Sequence, residues 1–556
     1  MIRIRHRKLL IMGLLMFLVA VVLAACGGES EDTISDDAES TETEKTDDAD
    51  ETEEADESAE SDEPDESAAS GGDLQVAFYQ QPPTLDIHMT TSAASYMVGR
   101  HIFEGLMALT EDYESVPMLA ESVDESDDGL TYTFHLREGV MFHNGQEMTA
   151  EDVIASMERW REINTGSDLV FGGSTWESDG DYTVVLTLEK PATGVLESLA
   201  AVLQAPVIMP KEVIDDADAT GVQEYIGTGP FKFVEWEQDK HIHVEKFDDY
   251  IPVEEEPNGF AGKKEALVDN IYFELVLDAS TRLAGITTGQ YDVAYALSND
   301  DYDQMAQDDT IETYEAPSGN AYLIFNEHEP SKFIDPVMRQ AVNAALNIDE
   351  IMLGGFKNEN LFDVDHGFMS KYAKSWYSES GLDYFNQQDL DKAVELLEEA
   401  GYDGEEVVLL TDRSHPTIYG MAVVVQEQLA QIGMDVHLES YDWATVSEKR
   451  TDPENWDFYV NNVPEVVIPA QLLPLSATWP GWADEEKFVN YHEQIIDATS
   501  QDEAYEIWSE MQEYAWSEYV PVVKFGNYYS LDVATNKVEG MTSFQNPMLW
   551  NTSIVE

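Results

Sequence analysis

Apolar positions along most of the chain follow one of two periods. Period two runs through Thr131-Tyr132-Thr133-Phe134-His135-Leu136-Arg137 and predicts a strand. Asn144-Gly145 marks a turn, and Thr149 with Asp152 makes a capping-box-like start for a helix carrying Val153, Met157 and Trp160. Tyr182 to Leu188 predicts another strand, stopped by Pro191. His241 to Val244 alternates again, and Ile271 to Leu277 reads as a buried strand. Period 3.6 governs three later stretches. Residues 337–346 place Val337, Ala341, Ala344 and Ala345 on one face. Residues 390–400 do so with Ala393, Leu396, Leu397 and Ala400; Asp389 or Asp391 caps that helix and Gly401 ends it. Residues 418–432 follow with Ala422, Val425 and Leu429, ended by Gly433, and a strand with Met434, Val436 and Leu438 inward comes next. Strands and helices mix without strict alternation and without a visible repeat, which predicts an α/β fold.

The first 72 residues follow neither pattern. Arg3, Arg5, Arg7 and Lys8 precede an almost unbroken apolar run from Leu9 to Ala25, which reads as an export signal. The run ends at Cys26, the one cysteine of 556 residues, and Leu23-Ala24-Ala25-Cys26-Gly27 resembles the bacterial lipobox. That motif implies a diacylglyceryl group on the Cys26 thiol, since stable anchoring takes more than one acyl chain. From Glu29 to Gly72 the chain is almost all Glu, Asp, Ser, Thr and Ala, with Lys45 the one basic residue. Such a segment cannot offset its ordering entropy, so it predicts an extended acidic tether.

Charge narrows the partners. The chain has 112 acidic and 29 basic residues, a formal net charge of −83, and roughly −65 of this stays on the body after the tether. Nucleic acid is excluded as a partner, because phosphate binding needs clustered Lys and Arg. Adsorption to anionic lipid by charge is excluded for the same reason. Self-repulsion at this level is screened only in high salt, which predicts a body adapted to a saline medium. A single cysteine excludes an intrachain disulfide.

No catalytic constellation stands out. There is no Walker-type loop, no HExxH and no G-x-S-x-G elbow. Gly227-Thr228-Gly229-Pro230 leads into a strand pattern and reads as a turn. His241 and His243 would share a strand face, but two ligands are too few for a metal, and they read as exposed strand histidines. The expectation is a protein that is not an enzyme and needs no cofactor.

Residues 119–160, "LAESVDESDDGLTYTFHLREGVMFHNGQEMTAEDVIASMERW", closely resemble the peptide-binding proteins of bacterial ABC importers, extracellular solute-binding protein family 5. The stretches "PPTLDIHMTTSAASYMVGRHIFEGL", "IGTGPFKFVEWEQDKHIHVEKFDDY", "MRQAVNAALNIDEI" and "DLDKAVELLEEAGY" resemble further segments in the family's order, from about residue 75 to the end. The resemblance implies a two-lobed periplasmic-binding-protein-like fold (class II type) of three domains with a hinge. Residues 1–25 would be the signal peptide and 26–72 the lipidated tether. Domain I would take 73–105, 223–316 and 525–556, domain II 106–222, and domain III 317–524. A small-molecule or short-peptide ligand would be enclosed between the lobes and passed to an ABC permease and ATPase. The protein would sit on the extracytoplasmic face of the cell membrane, held by its lipid anchor.

The resemblance also implies ligand contacts. Met89, Thr90, Thr91 and Ser92 match a segment lining the family's cleft, and Trp443 matches a tryptophan that packs on ligand side chains. Arg413 falls near a position that holds the ligand carboxylate, a task suited to a planar bidentate guanidinium, with His415 beside it. Phe171 would face the cleft from domain II. The family's amino-anchoring Asp is absent. Val466 stands in its place with Glu465 adjacent, so either Glu465 takes the role or the ligand has no ammonium there. Oligosaccharides, opine-like conjugates and chelated nickel remain alternative ligands, and a tethered surface hydrolase or a peptide sensor an alternative role.

Overall fold

The computed structural model describes residues 71–555. The signal segment, Cys26 and nearly all of the acidic stretch lie outside the described residues. Gly71 and Gly72, expected at the end of the tether, instead belong to the body: their N–H groups donate to the Leu267 carbonyl (2.7 Å) and the Asp269 carboxylate (3.0 Å). Among the described residues no helix is long and apolar enough to cross a membrane.

The fold is α/β, and most local predictions hold. Strands form at Thr131–Leu136, Thr183–Thr187, His241–Lys246, Asn270–Leu275 and Asp435–Tyr441. Helices form at Ala150–Ile163, Pro336–Ala345, Leu390–Glu399 and Pro416–Gln431. Thr149 and Asp152 make the capping box, and of the two candidate caps it is Asp389 that accepts the Lys392 N–H (2.9 Å). Neither histidine is exposed as expected, His243 being half-buried. His241 is buried, because its ring packs edge-on to Tyr272 (5.7 Å), while His243 stacks on the same tyrosine (4.3 Å).

Two long antiparallel strands, Ile311–Phe325 and Val522–Thr535, organise the molecule. They pair from Ile311 opposite Thr535 to Ile324 opposite Val522. On one side of this pair, Phe458–Pro464 joins along Gly319–Phe325, followed by Glu406–Asp412 and Asp435–Tyr441. On the other side, at the opposite end, Val293–Ala294 joins Val533–Ala534, followed by Asp73–Phe78, Asn270–Leu275, His241–Lys246 and Phe231–Glu237. Each long strand therefore serves both lobes, and the register slips midway, at Ser318 and between Ala321 and Tyr322. A separate antiparallel sheet, in the order Ala120–Glu125, Thr131–Leu136, Thr183–Thr187, Thr175–Ser178, packs beneath the helix Ala150–Ile163. Its core holds Phe134, Met157, Trp160 and Trp176.

Candidate functional site

A cavity of about 350 Å³ opens where the long strands pass between the lobes. Tyr79 and Thr91 line it from the N-terminal lobe, Phe356 and Glu465 from the other, and Ser318 and Tyr528 from the long strands themselves. Its size suits a small ligand, since such pockets start near 300 Å³.

Glu465 follows the strand Phe458–Pro464 and is gripped by both long strands. Oε2 accepts the Asn320 amide (3.1 Å) and Oε1 the Asn527 amide (3.0 Å). Asn527 also donates to Ser370 Oγ (2.7 Å), which fixes its rotamer. Behind it lies Lys524, fully buried, whose ammonium donates to Asp365 (3.3 Å), Asn527 (3.3 Å) and the Gly367 carbonyl. Burial raises the Glu465 pKa; the Lys524 charge and the amides from Asn320 and Asn527 pull it back. Two amide donors leave lone pairs on the carboxylate for a ligand N–H. Val466, at the family's acidic position, packs on the apolar core.

Of the segment 89–92, Thr91 alone is among the cavity-lining residues. Its anchorage explains why. Arg159 clamps Asp86 through Nη1 (3.1 Å) and Nη2 (2.5 Å), and donates to His88 Nδ1 (3.0 Å). Burial and the Arg159 charge lower His88 to about 4, so the ring is neutral and donates from Nε2 to the Val207 carbonyl (2.9 Å). Thr90 is spent locally, its Oγ1 accepting the Ser92 N–H (3.0 Å) and its carbonyl the Gln204 N–H (3.3 Å). Met89 lines a different, open groove beside Arg159, and Ser92 precedes the helix Ala93–Gly99 as its N-cap residue.

Four other expected contacts lie elsewhere. Phe171 is fully buried and meets Trp160 edge-on (5.4 Å), because the small sheet's core needs an aromatic under that helix; it does not face the cleft. Arg413 is exposed and outside the cavity lining: its N–H extends the sheet pairing to the Tyr441 carbonyl (2.8 Å), which leaves the guanidinium near Asp442. His415 is also exposed, held by the buried Asp412 carboxylate. Trp443 is half-buried between the His415 ring (6.2 Å) and the Arg450 guanidinium (5.1 Å), again outside the cavity lining.

Sequence reasoning missed Asp532 and the tyrosines. Asp532 lines the cavity from Val522–Thr535 and accepts the Ala296 N–H through Oδ1 (2.9 Å). Burial raises it to about 6, opposed by the Ala296 N–H, Ser530 and the charges of Arg100 and Arg282. The available signal was an acid inside the apolar run Leu531-Asp532-Val533-Ala534 of a strand. Among the described residues no group of three or more His, Cys, Asp or Glu is placed to hold a metal.

Residues 114–472 match the model of the bacterial extracellular solute-binding proteins, family 5 middle region. A probable peptide ABC transporter periplasmic-binding protein of Sinorhizobium fredii is 25% identical over 480 residues, covering 83% of this chain and 90% of that one. The oligopeptide-binding protein AppA of Bacillus subtilis is 28% identical over 417 residues, 70% of this chain and 72% of that one. The binding protein AgaA of A. tumefaciens R10, solved with agropinic acid, superposes with a TM-score of 0.70 at 25% identity, covering 87% of this chain and 99% of that one. With the family model matching well over half of its length, this chain belongs to the bacterial extracellular solute-binding proteins of family 5.

Proposed function

We propose that this chain is the lipid-anchored substrate-binding component of an ABC importer, that it encloses a short peptide between its lobes, and that it hands the peptide to the permease. The carrying observation is Glu465, an acid on the cavity wall held by an asparagine from each of the two strands that join the lobes. A carboxylate so placed is suited to the ammonium of a peptide, and closure of the lobes is suited to trapping it. The similarity to peptide-binding proteins supports that ligand class. The similarity to AgaA with agropinic acid favours an opine-like conjugate as the second reading. The lipobox resemblance supports acylation of Cys26 and a position on the outer face of the membrane. The interlobe strands support a division into domain I (73–105, 223–316, 525–556), domain II (106–222) and domain III (317–524).

Native mass spectrometry of the freshly purified protein reads both the acyl mass at Cys26 and the mass of a retained ligand. Calorimetry with that ligand then tests Glu465. Leaving an ammonium buried and unpaired costs about 2–5 kcal/mol, so Glu465→Ala should weaken binding by roughly 30-fold to several-thousand-fold. A variant binding within about a factor of two of wild type, far inside that range, excludes Glu465 as the amine anchor.

A further inference from the structure

Glu465 accounts for one cationic group of a ligand, and a second buried carboxylate stands on the same cavity. Asp532 is 2% exposed; Oδ1 accepts the Ala296 N–H, the Ser530 hydroxyl lies beside the carboxylate, and the buried Oδ2 has no partner at full hydrogen-bond geometry among the described residues. A buried acceptor without a donor is destabilising, and one that lines a cleft points to a ligand. Of the neighbouring cations, Arg282 is committed to backbone carbonyls, whereas Arg100 keeps Nε and Nη1 without a hydrogen-bond partner among the described residues. Arg282 donates to the carbonyls of Tyr295 (2.8 Å), Val276 (2.7 Å), Leu277 (3.0 Å) and Ala296 (2.5 Å). Arg100 donates to the Pro547 carbonyl (2.5 Å) and lies over the Tyr96 and Phe260 rings. Neither makes an ion pair with Asp532.

The rest of the wall has the same character. No Lys, Arg or His is among the residues that line the cavity. Tyr79, Tyr96, Tyr528 and Tyr529 do line it, and their faces favour cations. Asn462 lines it as well, with Oδ1 unpartnered while Nδ2 donates to Thr417 (3.3 Å). The Asn527 that holds Glu465 is five residues from Asp532 on one strand, about 16–17 Å along it at a strand's rise. An N-terminal ammonium and a long basic side chain within the first three residues of an extended peptide bridge such a distance.

We propose that Asp532 is a second anionic anchor of the cleft and that the ligand is a basic peptide, with its N-terminal ammonium on Glu465 and a Lys or Arg side chain on Asp532. This rests on the importer reading above and narrows its ligand class.

The test compares Ala-Lys-Ala with Ala-norleucine-Ala, which share termini and differ in one charge, by calorimetry on wild type and Asp532→Asn. Wild type should bind the lysine peptide at least about tenfold more tightly, and Asp532→Asn, which keeps the Oδ1 acceptor, should shrink the gap to about twofold or less. Equal affinities on wild type, or a gap unchanged by the substitution, overturn the Asp532 anchor and leave the peptide reading standing. Failure of wild type to bind either peptide overturns the peptide reading and the proposal with it. Should Asp532→Asn not fold, the wild-type gap is followed against pH. The groups facing Asp532 are Arg100, Arg282, Tyr79, Tyr295 and Ser530, and with burial dominant the carboxyl titrates near 6. Both peptides present the same ammonium to Glu465, so its titration cancels. The gap should close as pH falls through about 6, and a gap constant between pH 5 and 8 overturns the proposal.

Discussion

Asp532 and Glu465 are expensive residues to keep in the free protein, because burial outweighs the charges of Arg100 and Arg282 at the one and of Lys524 at the other and raises both carboxyl groups. For Asp532 the sign is definite. Its folded value, about 6, lies above its ordinary value of 3.8, so folding disfavours its charged form. The penalty is absent below about pH 4, grows through pH 6 and is complete above it, reaching about 3 kcal/mol for a shift of this size. Asp532→Asn should therefore stabilise the ligand-free protein at pH 8 by an amount approaching that figure and leave it unchanged near pH 4. Urea unfolding at the two values checks this, and a variant less stable than wild type at pH 8 contradicts it. At this scale the site was half legible. Glu465 and Thr91 could be picked out by their neighbours in sequence. Phe171 could not be assigned to core or cleft, because an aromatic in an apolar stretch has the same pattern in both. Asp532 sits in a strand whose pairing partners, near 293 and 311, are more than two hundred residues away.

At the scale of elements, the interlobe strands carry part of the cavity wall. Gly526 lies opposite Ala321, where the two strands pass between the lobes, and adopts a φ of +153°. A Cβ there would stand 2.0 Å from the Asp363 carbonyl oxygen. Across the pair, a Cβ on Gly319 would come within 2.3 Å of the Val463 carbonyl. Both strands thus use glycine to let a third segment approach their backbone. Gly526→Ala should destabilise the protein by more than about 1 kcal/mol, through strained φ and displacement of the 363–364 segment. A melting temperature equal to wild type would show that this approach is loose. Helices such as Leu390–Glu399 were legible because cap, apolar stripe and terminating glycine are all local. The register slip at Ser318 was not, since it depends on two strands separated by about two hundred residues.

At the scale of the whole molecule, the dominant quantity is charge. A net −83 on 556 residues repels itself at every distance that salt does not screen. The thermal midpoint should rise by several degrees between millimolar and molar salt, and a midpoint independent of salt removes the saline-adaptation reading. The sequence by itself determined the α/β class, the family, the acidic character and most helices and strands, because periodicity, caps and charge are properties of neighbouring residues. It also marked Glu465 as the acid nearest the family's anchoring position. Only the tertiary structure decided that Asn320 and Asn527 hold that acid, that Arg413 stays outside the cavity lining, and that Asp532 enters its wall. The physical reason is that a cleft between lobes is made of side chains from strands hundreds of residues apart, and burial, the quantity that shifts a carboxyl group or leaves an oxygen without a donor, exists only once those strands have paired.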